Sequence, residues 1–190
     1  ECLKDETVIG PFVSLMGQKS DDIQVLALQV IDQLKRDINF HKTIIQCMYA
    51  LNSENEITTK LVNETFNLFI VYDPEDSNKL IEFNADYLPF LASICNDYCG
   101  EDKQLVTKIC EKFTDFLSQY QKKAYLLLGV PCWYDWMRDL FRIVYDPKKS
   151  YKMFSFPFAS LLELDFRNCD IKTTRTLFYS LDNSDAGDTR

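Results

Sequence analysis

Glycine and proline are scarce in this chain of 190 residues, at 5 and 6. A many-turned all-β fold needs more turn formers than that, so long helices are favoured. Histidine is scarcer still, with His41 alone. One imidazole, no glycine-rich phosphate loop and no nucleophile elbow leave enzyme chemistry without a recognisable apparatus. No catalytic residue and no cofactor is therefore expected. No Cys-x-x-Cys pair occurs, and Cys95 and Cys99 have neither the spacing nor the partners of a zinc site. Seven cysteines, most of them among apolar neighbours, read instead as reduced, buried thiols of an intracellular protein, cytoplasmic or nuclear. Long hydrophobic runs are missing too. Tyr125-Leu126-Leu127-Leu128 is far too short to span a membrane, and no signal peptide is visible at the start. Glu1 in place of a methionine is what a piece of a longer chain would show. Positive charge is in deficit, with 21 Lys and Arg against 29 Asp and Glu, a net charge of −8. That argues against a phosphate-backbone binder. It suits a partner carrying basic residues, although an acidic balance also serves solubility alone.

What is present is 46% hydrophobic residues, enough for a sizeable core, and an internal echo. Val71-Tyr72-Asp73-Pro74 recurs as Val144-Tyr145-Asp146-Pro147, 73 positions later. Ser77, Lys79, Leu80 and Phe83 follow the first copy, and Ser150, Lys152, Met153 and Phe156 follow the second at the same offsets. The interval is about twice the unit length of a helical-repeat protein. Each Asp-Pro reads as a helix stop followed by a helix start, because proline cannot donate the next helical bond and restricts the residue before it.

Helical periodicity covers the rest of the chain. Val8 to Met16 is expected as a short helix, with Pro11 near its first turn and Gly17 ending it. Asp22 to Arg36 is a clearer one. Ile23, Leu26, Ala27, Val30, Ile31 and Leu34 form an apolar stripe, and Ser20 with Asp21 and Asp22 supplies the cap. Longer helices are expected over Glu54–Tyr72, Glu101–Ser118 and Pro131–Tyr145. Shorter ones fall at His41–Leu51, Asn78–Phe83, Tyr87–Asp97, Lys122–Leu128, Lys149–Asn168 and Lys172–Leu181. No strand is expected. The chain reads as one domain over residues 1–181, with a polar tail at 182–190.

Short, short, long is the helix order of an armadillo unit. The segment Glu56 to Asn96 resembles one, with Asp73 to Asn78 as its turn and Asn67-Leu68 where such units commonly carry an Asn-Leu pair. The resemblance implies an all-α, right-handed α-solenoid of roughly four armadillo or HEAT-like repeats. It also implies a protein-binding scaffold or adaptor with a concave face lined by the longest helices. In family members that hold extended peptides, that asparagine bonds the peptide backbone, using the donor and acceptor of one carboxamide. Two departures matter. Asn63 stands where peptide-binding members place a tryptophan, and Asn84-Ala85 replaces a glycine often found between the first two helices.

The equivalents of Asn67 on the other long helices are Asp32, Asp115 and Asp139, and Lys60 and Asn63 share its exposed side. Together they would form an acidic groove able to pair with Lys or Arg of a partner. The same positions are also where ordinary solvated polar residues of amphipathic helices fall. Trp133 and Trp136 lie one turn apart. One reading packs one of them between repeats. The other makes Trp136, beside Asp135, Arg138 and Asp139, an aromatic anchor for a partner. The expected function is protein–protein recognition along that groove. The alternatives are a regulatory or assembly factor gripping a folded enzyme, GTPase or chaperone, and an oligomerising structural piece of a scaffold.

Overall fold

The computed structural model describes residues 6–51, 57–76, 79–98 and 102–143. The second Tyr-Asp-Pro copy, the helices expected over 149–168 and 172–181, and the polar tail lie outside those residues. Among the described residues the fold is mostly helical. The helices are α1 (Glu6–Leu15), α2 (Asp21–Gln33), α3 (Phe40–Ala50), α4 (Thr59–Phe69), α5 (Leu88–Tyr98), α6 (Lys103–Gln119), α7 (Gln121–Ala124) and α8 (Trp133–Arg142). Short 3-10 turns over Ala85–Tyr87 and Tyr125–Gly129 lead into α5 and out of α7.

Local chemistry sets most of these boundaries. Asn39 caps α3 by accepting from the Lys42 N–H at 3.2 Å, and Thr58 caps α4 through the Leu61 N–H at 3.3 Å. Asp102 takes both the Gln104 and Leu105 N–H groups of α6, each at 3.0 Å. Each removes one or two of the donors that a helix start leaves without a partner. Ser20 occupies the cap position of α2, yet its hydroxyl makes no capping bond. The neighbouring Asp21 carboxylate accepts from the Asp22 N–H instead. Helix α1 begins earlier than its periodicity implies, so Pro11 sits in its body and not in its first turn.

One expectation fails outright. Asp73-Pro74 does not separate two helices; it turns a β-hairpin. Strand β1 (Ile70–Tyr72) runs straight out of α4 and pairs antiparallel with β2 (Leu80–Phe83). Ile70 stands opposite Phe83, Val71 opposite Glu82, and Tyr72 opposite Leu80, with an irregularity between Val71 and Tyr72. Helix α4 ends at Phe69, three residues before the expected end at Tyr72, so Asp73-Pro74 is not what stops it. Ile70, Val71 and Tyr72 are β-branched or aromatic, types that fit a pleated surface, and the second strand supplies matching side chains. Asp73 organises the turn. Its backbone N–H donates to the Lys79 carbonyl at 2.8 Å, and its carboxylate accepts from the Glu75 N–H at 3.0 Å and from Lys79 Nζ at 2.8 Å. The Lys79 ammonium, with the Glu75 N–H behind it, holds the Asp73 carboxyl below the usual carboxylate range.

Helix α2 lies against α4, and α8 lies chiefly against α5. Helices α2 and α4 are bridged by the Asp22–Lys60 ion pair and by Gln29 Nε2 donating to Glu64 at 2.7 Å. The steps from 22 to 29 and from 60 to 64 run the same way, so the two helices are roughly parallel. Phe69 of α4 meets Phe113 of α6 edge-on at 4.9 Å, and Phe113 stacks on Phe141 of α8 at 5.9 Å. Helix α1 packs against α2 and α3, α3 packs against α5, and α5 packs against α4 and α8. Phe83 of the hairpin sits 4.5 Å from Phe116, so the strands are joined to the same aromatic core. Cys47 and Cys110 are buried as free thiols, and Cys95 is buried as well.

Candidate partner-binding surface

The seven residues singled out in the sequence fall on four helices. Asp32 of α2 faces inward. It accepts from the Tyr87 hydroxyl at 3.2 Å and lies 3.4 Å from Lys35 Nζ. Lys35 also reaches Glu82 at 3.1 Å and the Asn84 carboxamide oxygen at 3.2 Å. Asn84 in turn donates to the Leu68 carbonyl at 2.7 Å. The Asp32 carboxylate is therefore a knot tying α2, the hairpin and the turn before α5 together. Burial pushes the Tyr87 hydroxyl well above its usual ionisation range, and the Asp32 charge adds to it, so the phenol remains a donor.

Lys60, Asn63 and Asn67 share the exposed side of α4. Lys60 already has a partner in Asp22, which raises its pKa. Asp115 is exposed on α6, close enough to Tyr72 that its charge, after burial and Tyr120, helps to raise that phenol's pKa. No hydrogen bond or ion pair among the described residues joins any of these to another of the predicted set.

Trp136 and Asp139 are brought together. They lie one turn apart on α8 and line a cleft of about 480 Å³ against α5, which contributes Ala92, Ser93 and Asn96. Arg142 and Ile143 also line it. The preceding turn over Pro131 and Cys132 starts α8, with Cys132 in the left-handed region at φ 57°. Trp133 is 8% exposed and packs into the core, whereas Trp136 is only half-buried. The two tryptophans thus divide between core and cleft. Asp139 accepts from Arg138 at 3.2 Å, and Arg138 is shared with Asp135 at 3.1 Å. The Trp136 indole N–H, the Ser93 hydroxyl and the Asn96 carboxamide have no hydrogen-bond partner among the described residues.

Ser93, Asn96 and Arg142 were not singled out beforehand. A signal was there for the first two. In Leu88-Pro89-Phe90-Leu91-Ala92-Ser93-Ile94-Cys95-Asn96-Asp97-Tyr98, Ser93 and Asn96 stand one turn apart among buried neighbours. Polar residues at that spacing on an otherwise apolar helix mark its one wet face.

A second cleft, about 940 Å³, opens between α1 and α3, with Val13, Arg36, Asn39 and Lys42 among its lining residues. Among the described residues no cluster of three or more potential metal ligands is found, and no helix is long and apolar enough to cross a membrane. The chain matches no family model, no curated protein and no solved structure.

Proposed function

We propose that this chain is a protein-interaction module, a scaffold or adaptor without catalysis of its own, that holds a partner segment in the α5–α8 cleft. The observation that carries the reading is the pairing of a half-buried tryptophan with a carboxylate and unpartnered polar groups in one trough. Such a trough offers an apolar wall for a side chain, an acceptor for a Lys or Arg, and hydrogen-bond groups for a backbone. A basic residue of the partner would compete with Arg138 for Asp139, and its binding would weaken with added salt. The acidic surface is then narrower than a four-rung groove, because Asp32 is already committed to Tyr87 and Lys35.

The wider architecture we propose is a degenerate armadillo or HEAT-like right-handed solenoid. The parallel sense of α2 and α4, and the ring contacts that run from Phe69 of α4 through Phe113 of α6 to Phe141 of α8, support it. The hairpin at Asp73 is its main departure. Free, buried thiols fit an intracellular setting.

The test compares affinity capture by the full chain with that by Trp136→Ala and by Asp139→Lys, followed by titration of the captured segment. Losing a tryptophan anchor should weaken binding at least about tenfold, and the charge reversal should remove the salt dependence. Retention of the same partners at the same affinity by both variants rejects the cleft.

A further inference from the structure

The two charged groups that line the α5–α8 cleft are opposite in sign and both have open valences. Arg142 is exposed, and no carboxylate pairs with it among the described residues. Asp139, one turn earlier on α8, is only half committed. Arg138 donates to it from Nε at 3.3 Å and from Nη2 at 3.2 Å, and both contacts fall on one oxygen, Oδ1. Oδ2 has no partner among the described residues, although a carboxylate accepts about four donors. Arg138 itself does not line the cleft. An open acceptor and an open cation therefore stand three residues apart on one wall.

That arrangement sorts partners by charge. A segment that is basic throughout would satisfy Asp139 but meet the Arg142 guanidinium about 5–6 Å further on, and one that is acidic throughout would suffer the reverse. A segment carrying both signs pairs with both groups. The spacing adds a second constraint. At 1.5 Å per residue, Trp136, Asp139 and Arg142 follow one another along α8 at steps of about 4.5 Å. Side chains three or four apart on a helix step by about 4.5–6 Å, whereas those sharing one face of a strand step by about 6.6–6.8 Å. A helix laid along the cleft matches the rungs better.

We propose, resting on the reading of this cleft as a partner-binding trough, that its occupant is a dipolar helical segment of another protein. Such a segment sets an apolar side chain on Trp136, a Lys or Arg on Asp139 and an Asp or Glu on Arg142, at intervals of three or four residues. Arg142 is then the residue that sets specificity, because it turns away uniformly basic segments. Its attraction also balances the repulsion introduced by Asp139→Lys, so that variant loses salt dependence without reversing it.

A displayed library of random 16-residue peptides, panned against the full chain, tests this. Only peptides that Trp136→Ala weakens at least about tenfold are carried forward, which isolates cleft binders. These are expected to hold a basic and an acidic residue three or four positions apart. Changing the peptide's acid to Lys should weaken binding to the wild type by about tenfold, and Arg142→Glu should restore binding of that altered peptide, because the pair is rebuilt with its signs exchanged. Circular dichroism should show an unchanged fold for Arg142→Glu, whose side chain is exposed. Cleft binders that are basic throughout, or an acid whose effect simply adds to that of Arg142→Glu, overturn the dipolar occupant and leave the cleft standing as a trough. A library that yields no peptide dependent on Trp136 rejects the trough itself, and the dipolar occupant with it.

Discussion

Replacing Phe113 with alanine tests the central packing claim most directly. The ring is fully buried and touches three others: Phe69 at 4.9 Å, Phe141 at 5.9 Å and Phe116 at 6.3 Å. Its ring contacts thus link α4 and α8 through α6. Truncating a buried phenylalanine costs about 3–5 kcal/mol, through lost transfer energy and the cavity left behind. Each aromatic contact is worth about 0.5–1.5 kcal/mol beyond its buried area, although these terms do not simply add. A loss near 4 kcal/mol is expected, roughly a thousand-fold in the folding constant. Urea unfolding followed by the fluorescence of Trp133 and Trp136 measures it, since both sit on the helix that Phe113 supports. With a slope of about 2 kcal/mol per M, the midpoint should fall by about 2 M. A small domain has only about 5–15 kcal/mol to lose, so Phe113→Leu, which refills much of the space, keeps the effect measurable at about half the cost. Glu111→Ala on the exposed face of α6 is the control and should stay within about 0.5 kcal/mol. A Phe113→Ala loss below about 1.5 kcal/mol would refute the packing, because a ring that central cannot be removed so cheaply.

Two further outcomes follow from the same geometry. Burial pushes the Cys47 thiol from an ordinary 9.0 up to about 12. The unfolded chain releases that proton first, so the thiol's contribution is intact below pH 9 and is lost between pH 9 and 12, at about 1.4 kcal/mol per pH unit. Urea midpoints at pH 8 and pH 10 should therefore diverge more for the wild type than for Cys47→Ala, and equal divergence counts against the buried position. Cys132 holds a left-handed conformation that costs a side-chain-bearing residue about 1 kcal/mol or more, so Cys132→Gly should raise the melting temperature by a few degrees. An unchanged or lower value would mean the turn is not held there.

Helix positions were largely legible because periodicity at 3.6 reports burial on one face, and α4, α6 and α8 each bury one apolar face. Asn39, Thr58 and Asp102 cap α3, α4 and α6, whereas the starts expected from the sequence were His41, Glu54 and Glu101. The hairpin was not legible. Ile70-Val71-Tyr72 continues a helical pattern for another turn, and only its pairing with Leu80–Phe83, a non-local event, makes strand the better state. The candidate site was half legible. Trp136 and Asp139 stand one turn apart on a single helix, so their partnership is local. Ser93 and Asn96 join them only because α5 lies against α8.

Composition and local pattern alone determined a mostly helical chain with a substantial apolar interior and an acidic balance. Those properties depend on neighbours within a turn or two. The third dimension decided which apolar residues are spared. It turned Leu26 outward and drew Gln24 in, because two carbonyls of the preceding loop needed donors. It also took Asp32 out of service by placing Tyr87 and Lys35 beside it, since a carboxylate's availability depends on what the rest of the chain brings within hydrogen-bonding distance.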